Sequence, residues 1–218
     1  MALNQNTHEH LQSHHRDFDH FANLMVDTHQ GRFDNVFWAF LEQHCPHSVH
    51  QIIDLGTGPG LLLRDLSKRF VQSHVYGVEG QPMMIEKAKE VIPANNLITL
   101  IEQDLSAPPI SGIKAASCDL IINSMVLHEM PNPLGLLEEM KRILAPRGVI
   151  IFYDWIRFPL ARYFGGNRPT TLDQITHFSE HCRLTSEDTV WLFESSGFKI
   201  KDSLIRHHGK HILLAAEH

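Results

Sequence analysis

The sequence predicts an α/β fold: a doubly wound, mostly parallel sheet of seven strands with an antiparallel C-terminal strand, preceded by helices. Three observations carry that expectation. From residue 50 onward, short β-branched runs alternate with stretches of helical periodicity. The first such run leads into a glycine-rich turn, IIDLGTGPGLLL at 52–63. The last two runs have no helical stretch between them, so they should pair antiparallel.

Taken in order, residues 8–44 read as two helices parted at Gly31. Leu11, Phe18, Phe21, Leu24 and Met25 share one face of the first; Phe33, Val36, Phe37, Phe40 and Leu41 share one face of the second. Strands follow at 51–55, 74–78, 97–102, 120–123 and 149–153, with helical stretches near 60–70, 82–92 and 133–144 between them. Asn132 suits the N-cap of the last of these, with Pro133 in its first turn. Strands buried on both faces and joined by helical crossovers make a parallel sheet. Residues 155–184 interrupt the alternation with a Pro- and Gly-containing segment and a short helical piece. A helix at 186–196 stops at Gly197, and strands at 198–204 and 211–215 follow. The domain reading is a helical lid at 1–47 and a ligand-binding domain at 48–218, with a lid insertion at about 155–184.

Composition narrows the function. The 218 residues carry 19 Lys and Arg against 25 Asp and Glu, a formal charge of −6. Sequence-independent nucleic-acid binding runs on clustered cations, so DNA and RNA are disfavoured as partners. The polar start MALNQNTHEHLQSHH has no apolar signal core, and no apolar run approaches the ~20 residues of a membrane span. Cys45, Cys118 and Cys182 are scattered and odd in number, which points to a reduced, cytoplasmic protein. Seventeen histidines are present, and His177 and His181 have the i, i+4 spacing of a helical metal clip beside Cys182. No acid or third ligand completes that pattern in sequence, so these read as surface imidazoles and no metal is assigned.

The glycine turn is the sharpest signal. A turn of this kind lets a ligand approach the backbone and aims helix N–H groups at it. Dinucleotides, mononucleotides and nucleoside-linked amino acids all use the device. The dinucleotide fingerprint GxGxxG fails, because the residue three after Gly58 is Leu61, and no Gly-Lys-Ser/Thr phosphate loop follows. What remains is Asp-x-Gly-x-Gly-x-Gly with Asp54 at the strand end. A carboxylate there repels a pyrophosphate but suits a ligand carrying an ammonium and a sulfonium.

With VYGVEGQPMM, EQDLSAPP, CDLIINSMVLHEMPNP and LAPRG following in order, residues 48–215 resemble the class I S-adenosylmethionine-dependent methyltransferases, a Rossmann-like family. The likeness is greatest to the small-molecule branch of the ubiquinone/menaquinone-biosynthesis type (type 11). The resemblance implies S-adenosylmethionine as cofactor and S-adenosylhomocysteine as product. Asp54, Gly56, Thr57, Gly58 and Gly60 would line its methionine part. Glu79, followed by Gly80, would accept the ribose hydroxyls; Asp104 would take the adenine amino group with Leu105 against the ring. Asn123 would meet the methionyl end through its backbone. Arg147 stands where the family turn has its second glycine.

Methyl transfer from a sulfonium is an in-line displacement governed by positioning, with a base needed only when the acceptor must lose a proton. His128 is the candidate general base or acceptor-orienting group, and Asp154 is the second candidate. Tyr153 and Trp155 are expected to shape an apolar wall. Phe33, Phe37 and Phe40 could face an aromatic acceptor, though such a stripe more commonly packs on the body. Arg157, Arg162, Tyr163 and Arg168 could hold an anionic one. A small organic molecule is the expected acceptor, and the chain is expected to be a monomer or homodimer. The rival readings are a nicotinamide-dependent oxidoreductase and a non-catalytic module that binds the same cofactor.

Overall fold

The structure is a computed structural model that describes residues 18–94 and 97–218, with side chains from residue 22. Strands β1 (Gln51–Leu55), β2 (His74–Glu79), β3 (Ile98–Glu102), β4 (Cys118–Ser124), β5 (Leu144–Trp155), β6 (Lys199–Arg206) and β7 (His211–Glu217) form one sheet in the order β3-β2-β1-β4-β5-β7-β6. β1 to β5 run parallel; β7 inserts antiparallel to both β5 and β6. The expected doubly wound sheet and its antiparallel strand are therefore present.

Helices α1 (Phe18–Arg32), α2 (Asn35–His44), α3 (Leu61–Arg69), α4 (Pro82–Val91), α5 (Pro133–Ile143), α6 (Leu160–Tyr163), α7 (Leu172–His181) and α8 (Ser186–Ser195) complete the described chain. Side-chain alternation along the strands feeds a separate core on each face of the sheet. Ile53, Ile121, Ile150 and Phe152 pack with Leu136, Leu137 and Met140 of α5 and with Phe193 of α8. Ile52, Leu120, Ile122 and Ile151 turn the other way, onto Phe37, Phe40 and Leu41 of α2 and Leu62, Leu63 and Leu66 of α3. Phe37 and Phe40 are thus core residues and do not face an acceptor; Phe33 alone of that trio stays half-buried beside the glycine turn.

The first two helices depart from expectation. Gly31 does not part them: α1 runs through it to Arg32, and the break falls at Phe33–Asp34. The reason is a cap. Asp34 accepts the N–H groups of Val36 and Phe37 at 3.0 and 3.1 Å, which starts α2 there. The inward face also differs, because Ala22 and His29 are buried while Leu24 is exposed on an open pocket. Leu11 lies outside the described residues, as do the side chains of Phe18 and Phe21.

Two side chains fasten these helices to the body. His29 meets Asp65 of α3 at 2.7 Å, and the ion pair with Arg64 together with that contact holds Asp65 below the usual carboxylate range despite its burial. Arg206, buried at the end of β6, donates to the second oxygen of Asp34 at 2.6 Å. At the β4–β5 end, Arg147 adopts φ +70° where the related turn carries glycine.

Asp34→Ala should destabilise the protein by about 2 kcal/mol in urea denaturation, because it removes a cap and strands a buried guanidinium. Asp34→Asn, which keeps the cap, should lose less.

Candidate active site

The strand order reverses between β1 and β4, so a crevice opens beyond the carboxyl ends of these strands. Asp54, the glycine turn, Glu79, Asp104, Asn123, His128 and Asp154 all come from that edge. Gly56, Gly58 and Gly60 take φ of +77°, +53° and +76°. A β-carbon on Gly56 would sit 2.3 Å from Val126, and one on Gly58 would sit 3.1 Å from Met25, so the turn needs both the left-handed backbone and the missing side chains. Gly80 packs its Cα side against the backbone of Asp104, which brings the ends of β2 and β3 together.

Glu79 holds this turn in place. Its Oε2 accepts the Gly58 N–H at 2.9 Å and its Oε1 the Gln81 N–H at 2.8 Å. Burial raises its pKa, with the backbone N–H groups pulling the other way. Asp54 is buried and takes the Thr57 hydroxyl at 2.7 Å on Oδ2, while Oδ1 has no partner in the protein. Burial, opposed by Thr57 and reinforced by Glu79, pushes Asp54 up to about 7. Asp104 accepts the Ser106 N–H at 2.8 Å beside buried Leu105. Asn123 donates to the Leu55 carbonyl at 3.4 Å, and its own oxygen is without a partner, as is the Ser124 hydroxyl. Buried acceptors left open at the mouth of a turn with three left-handed glycines fit a ligand that brings donors and lies on the backbone.

A cleft of about 70 Å³ remains between the glycine turn and Met25, His29, Arg32 and Phe33. It shares Met25, Arg32 and Met125 with a second pocket of about 580 Å³. The second pocket is walled by Leu24, Tyr153, Trp155 and Tyr163 and carries five imidazoles: His128, His177, His181, His207 and His211. Tyr153 and Trp155 form the expected wall, with Trp155 against the His211 ring at 4.1 Å. Burial pushes the Tyr153 phenol up to about 12 and drops His211 to about 3, with His207 and Arg32 adding to the fall.

His128 lies between two carboxylates. Its Nδ1 donates to Asp154 Oδ1, and its Nε2 lies 3.2 Å from Glu129 Oε1. Burial lowers its pKa, but Asp154 and Glu129 together outweigh that and carry it to about 10. Asp154 also accepts the backbone N–H of His128 at 3.1 Å and of Trp155 at 2.8 Å, which places the two sequence candidates in one hydrogen-bonded unit.

Arg32 and His211 escaped sequence reasoning as lining residues, and so did the meeting of Glu129 with His181. Arg157, Arg162 and Arg168 are exposed or nearly so, and the arginine that lines both pockets is Arg32 of α1, one turn past Thr28, whose hydroxyl it contacts. Glu129 and His181 also converge here, although they lie far apart along the chain. His211 arrives from β7. No periodicity connects any of these; only the fold does.

Comparison with known proteins places the chain. Residues 53–152 match the methyltransferase domain family. Over 99 residues the chain is 33% identical to a trans-aconitate 2-methyltransferase of Azoarcus sp. strain BH72, covering 45% of this chain and 36% of that protein. It thus spans well under half the length of that relative. A methyltransferase described as S-adenosylmethionine-dependent, from Aquifex aeolicus, superposes with a TM-score of 0.70 at 19% identity, covering 92% of this chain and 97% of its own. The plantazolicin methyltransferase BpumL, in complex with S-adenosylhomocysteine, gives 0.70 at 17% identity over 93% and 89%. Residues 53–152 thus match the methyltransferase domain family, and the described chain has the fold of the solved S-adenosylmethionine-dependent methyltransferase it superposes on.

Proposed function

We propose that the protein transfers a methyl group from S-adenosylmethionine to a small organic acceptor that brings negative charge to Arg32. The observation that carries this reading is the adjoining pair of cavities: a carboxylate-edged cleft and a larger pocket with Met25, Arg32 and Met125 in common. The cofactor supplies an electrophilic methyl on a sulfonium. Asp54 and the Asn123 and Ser124 oxygens would take the donors of its methionyl end. Glu79 has further lone pairs for the ribose hydroxyls, and Asp104 with Leu105 would receive the adenine.

The exposed surface of the acceptor pocket is mostly apolar, with Arg32, Glu129 and the imidazoles set into it as polar contacts. Burial lowers the pKa of Arg32, so an anionic acceptor would gain from pairing with its guanidinium. The relative named for trans-aconitate acts, by its name, on a molecule of that kind. His128, held by Asp154, would orient the acceptor from the opposite wall. The helices at 18–44 and the segment 155–184 would serve as the lid. The described helices include none long and apolar enough to cross a membrane. All three cysteines are free, which suits a reducing cytoplasm.

S-adenosylhomocysteine should raise the melting temperature by several degrees, and Glu79→Ala should abolish most of that shift. An unchanged shift in the variant, read by scanning fluorimetry, would misplace the ribose. Methyl transfer itself is tested with methyl-labelled cofactor over a panel of carboxylates, phenols, quinols and amines. Arg32→Ala should raise the KM of an anionic acceptor at least tenfold, a larger factor than any loss of S-adenosylhomocysteine affinity; a blank across the panel would leave a cofactor-binding module. Because burial holds Asp54 up to about 7, its free acid form is favoured below that pH. A folded pKa above the unfolded one means that, in the unliganded protein, the contribution of Asp54 to stability is full below its unfolded value. That contribution is lost as pH rises toward about 7. Cofactor affinity should run the opposite way, falling by up to about tenfold per unit below 7. Calorimetry of S-adenosylhomocysteine across that range should show it, and Asp54→Asn should flatten the profile.

A further inference from the structure

His128, Glu129 and His181 each present one ligand-type atom to a common point, all within 4.8 Å of one another. The contacts run through one carboxylate oxygen: Glu129 Oε1 lies 3.2 Å from His128 Nε2 and 2.9 Å from His181 Nε2. A first-row divalent ion with ligands at about 2.1 Å in tetrahedral array spaces them roughly 3.4 Å apart. The two Glu129 separations need only a few tenths of an ångström of expansion, and the two imidazole ligand atoms lie within 4.8 Å of each other.

The supporting contacts are those of a metal site. A carbonyl only accepts, so the 2.8 Å contact of His181 Nδ1 with the His177 carbonyl puts the proton on Nδ1. Asp154 does the same for His128 Nδ1. Both rings therefore turn Nε2 toward Glu129, and both have the outer partner that orients imidazole ligands on a metal. The three side chains are 8%, 9% and 10% exposed, too buried for a solvated surface cluster. A structural ion-pair network uses the same groups, but it does not need two imidazole Nε2 atoms on one carboxylate oxygen. All three residues line the 580 Å³ pocket, so a fourth position would open onto the acceptor.

We propose that His128, Glu129 and His181 bind a divalent first-row cation, of which zinc is the reference, and that the open position takes an oxygen of the methyl acceptor. Two imidazoles and one carboxylate form a borderline-soft donor set with three protein ligands, the arrangement of catalytic rather than structural zinc. The catalytic half of the proposal rests on the methyltransferase reading. A hydroxyl acceptor bound to the ion would release its proton to water. Its oxygen lone pair would then form the O–C bond as the S–CH₃ bond breaks, the electron pair staying on sulfur. Nothing is oxidised or reduced.

Metal uptake is tested on chelator-stripped protein in a background where His8, His10, His14 and His15 are alanine, so that the histidine-rich start contributes nothing. Titration with Co²⁺ followed by absorption, and with Zn²⁺ by calorimetry, should give one equivalent. The isosteric Glu129→Gln and the truncation His181→Ala should each weaken binding at least 10- to 100-fold. Circular dichroism on each variant checks folding. Failure of the unsubstituted site to take up either ion would overturn the proposal, as would equal affinity in the folded Glu129→Gln protein. S-adenosylhomocysteine binding, measured on the same samples, separates the two claims. Its absence with metal uptake intact would sink the methyltransferase reading alone, and its presence without metal uptake would sink the metal alone.

Discussion

The site depends on one strap: the Glu79 carboxylate at the end of β2 holding the N–H of Gly58 in the turn after β1. A turn with three left-handed glycines has no side chains with which to fix itself, and its backbone is the most entropically costly to order. Packing supplies one wall, since Val126 and Met25 close on Gly56 and Gly58. The carboxylate supplies the other restraint while keeping lone pairs to spare. One buried acid thereby fixes the loop's shape and leaves a negative potential beside it, with Asp54 one strand away.

The opposite wall is organised by a different chemistry. There, carboxylates and imidazoles alternate through Asp154, His128, Glu129 and His181, drawn from β5, the turn after β4 and the end of α7. Each acid orients the next ring, so the geometry of the set is better defined than that of any one member. Arg32 enters from α1, so the pocket is lined by both a guanidinium and this network.

The two walls differ in how much the sequence reveals. The glycine turn and its acid are consequences of local backbone demands, and local demands leave local patterns: glycine where φ must be positive, an acid at a strand end. The acid ending β2 comes from the family resemblance. The parallel run of strands follows from alternation, and the antiparallel pair from the missing helix before β7. The acceptor wall has no such signature. His177 and His181 drew notice as a clip, yet the acid that meets His181 lies in a three-residue 3₁₀ turn far upstream. Arg32 carried no local signal because its role arises from where α1 ends. That end was misread at Gly31, since a glycine with open space around it breaks nothing when the next cap lies three residues on.

The clasp between Arg206 and Asp34 has a consequence for motion. It nails the corner after α1 to the rim of the sheet, and the buried rings of α2 immobilise that second helix. Among the described residues, α1 also meets the body through the His29–Asp65 contact. A helix attached in this way would pivot at Phe33–Asp34, the break between α1 and α2. Such a pivot would carry Met25, which lies against Gly58, further than Arg32, which sits beside the pivot.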